Sequence, residues 1–138
     1  MDNVRGISYT QVLGMTPQAY QGATAPVLGI GTSRHFIMAA PLGGRGGAAS
    51  IGHGCFSVEG FGVDGVLKLL SDYGVKPRGE ASGPAKALVS YVSMRMENRG
   101  GAKEGTPELY FTDPDGLLLQ LQDPAYCGGG GVLGDVCL

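Results

Sequence analysis

Apolar residues recur along the chain in short runs, and the change of their period marks the elements. From residue 2 to residue 13 the spacing of Val4, Ile7 and Val12 is weakly helical, and Gly14 stands where a helix C-terminus takes a left-handed residue. Strand-length runs follow at Gln18-Ala19-Tyr20, at 26–30 and at 35–40. Gly31-Thr32-Ser33 between the last two reads as a hairpin turn, and Pro41 closes the third run. Residues 42–50, with Gly43, Gly44, Gly46 and Gly47, read as a flexible linker that divides the chain.

Beyond the linker, residues 51–59 predict a strand in which Phe56 and Val58 alternate with polar neighbours. Asp64 is the expected N-cap of a helix whose stripe is Val66, Leu67, Leu69, Leu70 and Tyr73, with Gly74 at C′. Residues 88–96, 108–112 and 117–122 predict three further strands. The last two are joined by Asp113-Pro114-Asp115-Gly116, a turn in which proline presets φ and Gly116 is free to take φ > 0. The second half therefore reads β-α-β-β-β.

The two halves resemble each other. Residues 28–41 parallel residues 110–124, and aligning their closing prolines sets Phe36 and Met38 opposite Leu119 and Leu121. That parity predicts Leu119 and Leu121 on the buried face and sets Ile37 opposite Gln120. The first half then supplies a helix and three strands with no strand ahead of the helix.

Composition narrows the class. Gly 26 and Pro 8 in 138 residues raise the question of low complexity. A net charge of −2, and Leu, Val, Ile and Phe above the roughly 20% that folding demands, answer it in favour of a folded domain. No membrane-spanning run and no signal peptide are present, so a cytoplasmic location is the expectation. Ten basic against twelve acidic residues, unclustered, leave no footprint for nucleic acid. Cys55, Cys127 and Cys137 form no C-x-x-C, which speaks against a zinc ribbon and a disulfide framework. A Cys127–Cys137 disulfide fits only an exported protein.

The segment Gly105-Thr106-Pro107-Glu108-Leu109-Tyr110-Phe111-Thr112-Asp113-Pro114-Asp115-Gly116, continued by Leu117-Leu118-Leu119-Gln120-Leu121-Gln122-Asp123, resembles the vicinal oxygen chelate (VOC) superfamily. That group holds glyoxalase I, the bleomycin-resistance proteins and the extradiol dioxygenases. Ile51-Gly52-His53 and Tyr9-Thr10-Gln11-Val12-Leu13-Gly14-Met15 are similar to the family's module opening and to the close of its first helix. The resemblance covers nearly the whole chain and implies an α+β fold of paired βαβββ modules curled round a cleft. Residues 1–41 are expected to form an incomplete first module (αβββ), lacking its first strand because Met1 falls almost at the helix start. Residues 51–124 form the complete second module, and 125–138 a glycine-rich tail, within a single domain over 1–138. A competing reading makes residues 4–12 the first strand, with Tyr9 at a ligand position and the helix deleted.

In the family's enzymes a divalent metal is held by residues on the first and last strands of each module. Carried over, those positions are His53 and Gln120, the latter replacing the usual Glu four residues beyond the turn glycine. Ile37 at the matching place in the first half ligates nothing, which leaves His35 as a substitute. An amide offers a carbonyl oxygen without charge, so affinity for Fe, Mn, Ni or Zn should fall. His53 reads either as a half-buried strand histidine or as a ligand or base. Tyr110, ten residues before Gln120, is similar in placement to the proton-handling tyrosine of extradiol dioxygenases, and otherwise packs as a strand aromatic. Tyr91 and Arg95 share a strand face that meets an anionic or aromatic substrate, or is solvated.

Two functions follow from the resemblance. One is a small-molecule-binding module with no need of metal, in which Gln120, Tyr91 and Arg95 orient the ligand. The other is a metal-dependent lyase or dioxygenase acting on vicinal oxygens, with His53 and Gln120 as ligands and Tyr110 and His53 as catalytic groups. An inactive shortened paralogue is a third outcome. A homodimer is expected through an unpaired strand edge or an exchanged module.

Overall fold

The computed structural model of the chain describes residues 7–21, 25–33, 35–40, 50–79, 86–99 and 101–124. Cys127, Cys137, the tail and all of the linker but Ser50 lie outside the described residues. The fold is α+β, with a three-stranded and a five-stranded sheet. Among the described residues no helix is long and apolar enough to cross a membrane.

The first unit opens with a π-helical turn at Ile7–Val12, which displaces the reading of residues 4–12 as a strand. It closes through Met15 N–H donating to Tyr9 O (3.0 Å), with Gly14 at φ 67° as the sequence predicts. Strands β1 (Thr16–Gln21), β2 (Ala25–Gly29) and β3 (Phe36–Met38) then form an antiparallel sheet in the order β1-β2-β3. Val27, at its centre, is fully buried and packs against Ala19, Phe36 and Met38.

The second unit begins at β4 (Gly54–Ser57), shorter than the predicted strand, so that His53 precedes the strand instead of lying within it. Helix α1 (Val63–Asp72) follows. Its N-cap is Gly62 rather than Asp64, which falls within the first turn, where its charge favours the helix dipole. The half-buried positions are Val63, Val66, Leu67 and Leu70, the i, i+3, i+4, i+7 stripe. Leu69 and Tyr73 stand outside that stripe and are exposed. After Gly74 (φ 86°) comes a two-residue strand that the sequence pattern misses, β5 (Lys76–Pro77). Strands β6 (Val89–Arg95), β7 (Thr106–Thr112) and β8 (Leu118–Gln122) complete the sheet.

The order is β4-β8-β7-β6-β5, with β4 parallel to β8, β5 parallel to β6, and the remaining pairs antiparallel. Chain crossing from the β4 edge to the β5 edge runs through α1, so the helix must lie over one face. Strand alternation supplies an apolar face for it, carrying Val92, Leu109, Leu121 and Phe56 in one cross-strand row. Leu109 in that row has no exposed surface. The opposite face is polar.

Gly101 sits under the end of β6, where a Cβ would collide with the backbone carbonyl of Arg95. Gly65, in α1, has open space around its missing Cβ. Gly101→Ala should therefore destabilise the protein by about 2 kcal/mol, since backbone cannot move aside cheaply. Gly65→Ala should stabilise it by about 0.5–1 kcal/mol through helix propensity. Urea denaturation of the two variants beside the parent checks both signs.

Candidate functional site

Strand pairing assembles the polar face row by row. Tyr91 on β6 lies opposite Tyr110 on β7, Tyr110 opposite Gln120 on β8, and Gln120 opposite Cys55 on β4. The next row on the same face runs through Ser93, Glu108 and Gln122 to Ser57, because side chains two residues apart share a face. Arg95 stands one pleat further along β6.

The first row is aromatic. Tyr91 and Tyr110 stack with centroids 5.0 Å apart at 12°, and His53 meets Tyr110 edge to face at 5.7 Å. The Arg78 guanidinium lies 5.3 Å from the Tyr91 ring centre, on the side of β5. The Arg78 N–H bonding to Ser90 O (2.8 Å) extends the short parallel pairing that brings this cation to the row. Three of the residues expected at the site are thus joined, His53 and Tyr91 each meeting Tyr110.

Beneath them is a buried ion pair. Arg95 Nε donates to Glu108 Oε1 at 2.6 Å, and the two side chains are 7% and 1% exposed. Arg95 is therefore neither solvated nor open to a ligand, since its charge is committed to Glu108. The Tyr110 hydroxyl donates to Glu108 Oε2 at 3.1 Å. Burial, then the charge of Glu108, then that hydrogen bond all favour the neutral phenol, and together they raise its pKa well above the ordinary value. In this setting Tyr110 offers a ring and an oxygen lone pair, with its proton held by Glu108.

The β8 side carries a pair of amides. Gln120 and Gln122 are 3% and 6% exposed, so the more buried residues of β8 are polar, against the expectation of Leu119 and Leu121. Gln120 Nε2 donates to Gln122 Oε1 at 2.8 Å, and Cys55 Sγ donates to the same oxygen at 3.1 Å. Cys55 is exposed as a residue, yet its sulfur is crowded. Desolvation, followed by the charge of Glu108, pushes the thiol up from about 9 to about 11. A thiol so placed is a poor nucleophile near neutral pH.

His35 is placed elsewhere, in the turn ahead of β3, where its Nδ1 lies 3.1 Å from Ser33 Oγ. Ile37, its neighbour on β3, is partly exposed. Among the described residues no group of three His, Cys, Asp or Glu side chains converges as a metal site. Glu108 and Gln122 escaped the sequence reading. The signal available for Glu108 was alternation in Thr106-Pro107-Glu108-Leu109-Tyr110, which sets it on the face of Tyr110.

No family model matches this chain, and no curated protein matches it. Among solved structures it is similar to an integron cassette protein from the mobile metagenome of V. cholerae, at 22% identity over 88% of this chain and 86% of that one. The TM-score of 0.28 is too low for that likeness to speak for fold or role.

Two measurements probe this network. Glu108→Gln leaves a buried guanidinium short of its counter-charge and should cost about 3 kcal/mol. Adding Arg95→Met to Glu108→Gln should recover most of that loss in a double-mutant cycle, because the stranded charge is then gone. The raised thiol also makes stability depend on alkaline pH. Its contribution is complete below about 9, the unfolded value, and is lost as pH rises to about 11. Thermal melts across that window should fall less steeply for Cys55→Ala than for the parent.

Proposed function

We propose that the chain is a small-molecule-binding module of the VOC type that works without a metal. The observation that carries this reading is the polar sheet face itself. Aromatic rings, two amides and a neutralised ion pair cover one side of a sheet whose other side is apolar. A single soluble sheet has no structural need to bury Glu108, Arg95, Gln120 and Gln122 together, since apolar side chains of similar size would serve stability as well or better. Such groups suit the orientation of a bound organic molecule.

The connectivity supports the family reading. Strands β4, β6, β7 and β8 with α1 after β4, and β4 parallel to β8, have the order expected of a βαβββ module. The π-helical turn followed by three strands has the order expected of the αβββ half.

The donor set does not fit a divalent ion. His53 supplies one imidazole and Gln120 an uncharged amide oxygen, while His35 lies in the turn ahead of β3, a strand of the other sheet. Glu108, a carboxylate on the same sheet face, is already neutralised by Arg95.

We extend the reading to a homodimer. Strand β3 is an edge of its sheet, with one neighbour, β2, among the described residues. Edges of this kind pair with other strands.

Metal content of the purified protein after refilling with Fe²⁺, Mn²⁺, Ni²⁺ and Zn²⁺ tests the proposal directly. Less than a tenth of an ion per chain is expected, on the chemistry of the donor set. About one ion per chain, lost in His53→Ala, would overturn it in favour of the metal-dependent enzyme. In parallel, a panel of flat organic compounds should contain some that raise the melting temperature of the parent and fail to raise that of Tyr110→Leu. Light scattering at micromolar concentration should report a dimer.

A further inference from the structure

The two glutamines of β8 hold hydrogen-bonding capacity that the fold does not use. A bond between two amides consumes one N–H and one carbonyl oxygen, whichever way each amide is turned. Here it joins Gln120 Nε2 to Gln122 Oε1, and that same oxygen also takes the Cys55 thiol. The carbonyl oxygen of Gln120 and the NH2 group of Gln122 are left with no partner among the described residues, and the Gln120 NH2 keeps its second N–H. Among the described residues no side-chain nitrogen or oxygen is both fully buried and without a partner, so each of these two groups keeps some contact with solvent, although the residues as a whole are 3% and 6% exposed. An acceptor and a donor thus stand side by side, two residues apart on one strand face.

Resting on the ligand-binding reading above, we propose that Gln120 and Gln122 read the amide edge of a neutral, planar ligand. A cyclic amide, urea or lactam-bearing heterocycle presents an N–H and a C=O next to each other, the complement of this pair. Planarity follows from the neighbour across the strand. Tyr110 lies directly opposite Gln120 and continues into the row of Tyr91 and His53, a surface shaped for flat molecules. Neutrality follows from charge. At the amide pair Glu108 and Arg95 cancel and the two amides are uncharged, while the cation of the row, Arg78, stands at its far end against the Tyr91 ring. A carboxylate or phosphate brought to the pair would lose its water and meet a carbonyl oxygen that repels it, with no full positive charge there in compensation.

The probes are 2-quinolone, which carries the adjacent N–H and C=O, N-methyl-2-quinolone, which lacks the N–H, and 2-naphthoate, a flat anion of similar size. Dissociation constants are measured by NMR titration of the full chain, for the parent and for Gln122→Met. Gln122→Met removes the outward donor without setting a second carboxyl group beside Glu108. The expected result is binding of 2-quinolone that weakens at least tenfold on N-methylation, and at least tenfold in Gln122→Met. Equal affinity for 2-quinolone and its N-methyl form would overturn the amide edge and leave the aromatic reading standing. Tighter binding of 2-naphthoate would overturn neutrality. Failure of all three to bind would overturn this inference together with the ligand-binding reading. If Gln122→Met does not fold, the comparison of the two quinolones on the parent still decides.

Discussion

The register between β7 and β8 decides which side chains share a face, and the turn at residues 113–116 decides the register. Asp113 Oδ1 accepts from the backbone N–H groups of both Asp115 (2.9 Å) and Leu117 (2.8 Å). Gly116, at φ 84°, closes the turn by donating to Asp113 O. A side chain that copies a backbone turn leaves little freedom to slide. Because alternation has a period of two, a slip of one residue would bring Leu119 or Leu121 opposite Tyr110 and send both glutamines to the apolar side. The polar face exists as a unit because this loop permits one pairing only.

Once the pleat has placed Glu108 and Arg95 on one face, burial forces them together. A carboxylate or a guanidinium alone in that position would bear several kcal/mol of lost hydration. Together they satisfy each other, and Glu108 has a second oxygen left to fix the Tyr110 hydroxyl. The pair therefore adds little net stability over an apolar core but holds one arrangement of the aromatic row. Thr112 plays a comparable part at the other end of β7, where its buried hydroxyl accepts from Val89 N–H at 3.1 Å and ties the start of β6. Both devices act between strands and set the position of Tyr91 against Tyr110.

Local signals in the sequence were legible where local chemistry decides. Gly14, Gly74 and Gly116 mark their element ends through left-handed backbone, and Asp113-Pro114-Asp115-Gly116 names its own turn. Four strands of the second half are legible in the sequence pattern, with errors of a few residues at their ends, and the two-residue β5 is not. What stayed hidden depends on partners distant in sequence. Nothing near Gln122 announces Cys55, which lies 67 residues away and gives it a second bond. Parity arguments assumed that apolar residues take the buried face. They mislead where polar residues are buried by bonding one another, as Gln120 and Gln122 are. The stripe of α1 failed for a simpler reason: Leu69 and Tyr73 lie off the arc that faces the sheet, and composition alone cannot say which apolar residues fall outside it.

The amide at position 120 is best understood through Glu108. Tyr110 stands opposite Gln120 and Glu108 opposite Gln122, so residues 108 and 120 are diagonal neighbours on the polar face. A carboxylate at 120 would place a second negative charge beside a buried glutamate that Arg95 already pairs. Two carboxylates so close cannot both remain ionised in a desolvated setting unless a further cation joins them. In this chain Arg95 already supplies one fixed positive charge to Glu108, and a neutral side chain at 120 leaves that pair undisturbed. The ion pair and the glutamine are thus two halves of one electrostatic arrangement. It pairs buried charge with buried charge and leaves amide dipoles and ring edges along the row that ends at Arg78, the features on which the ligand-binding proposal rests.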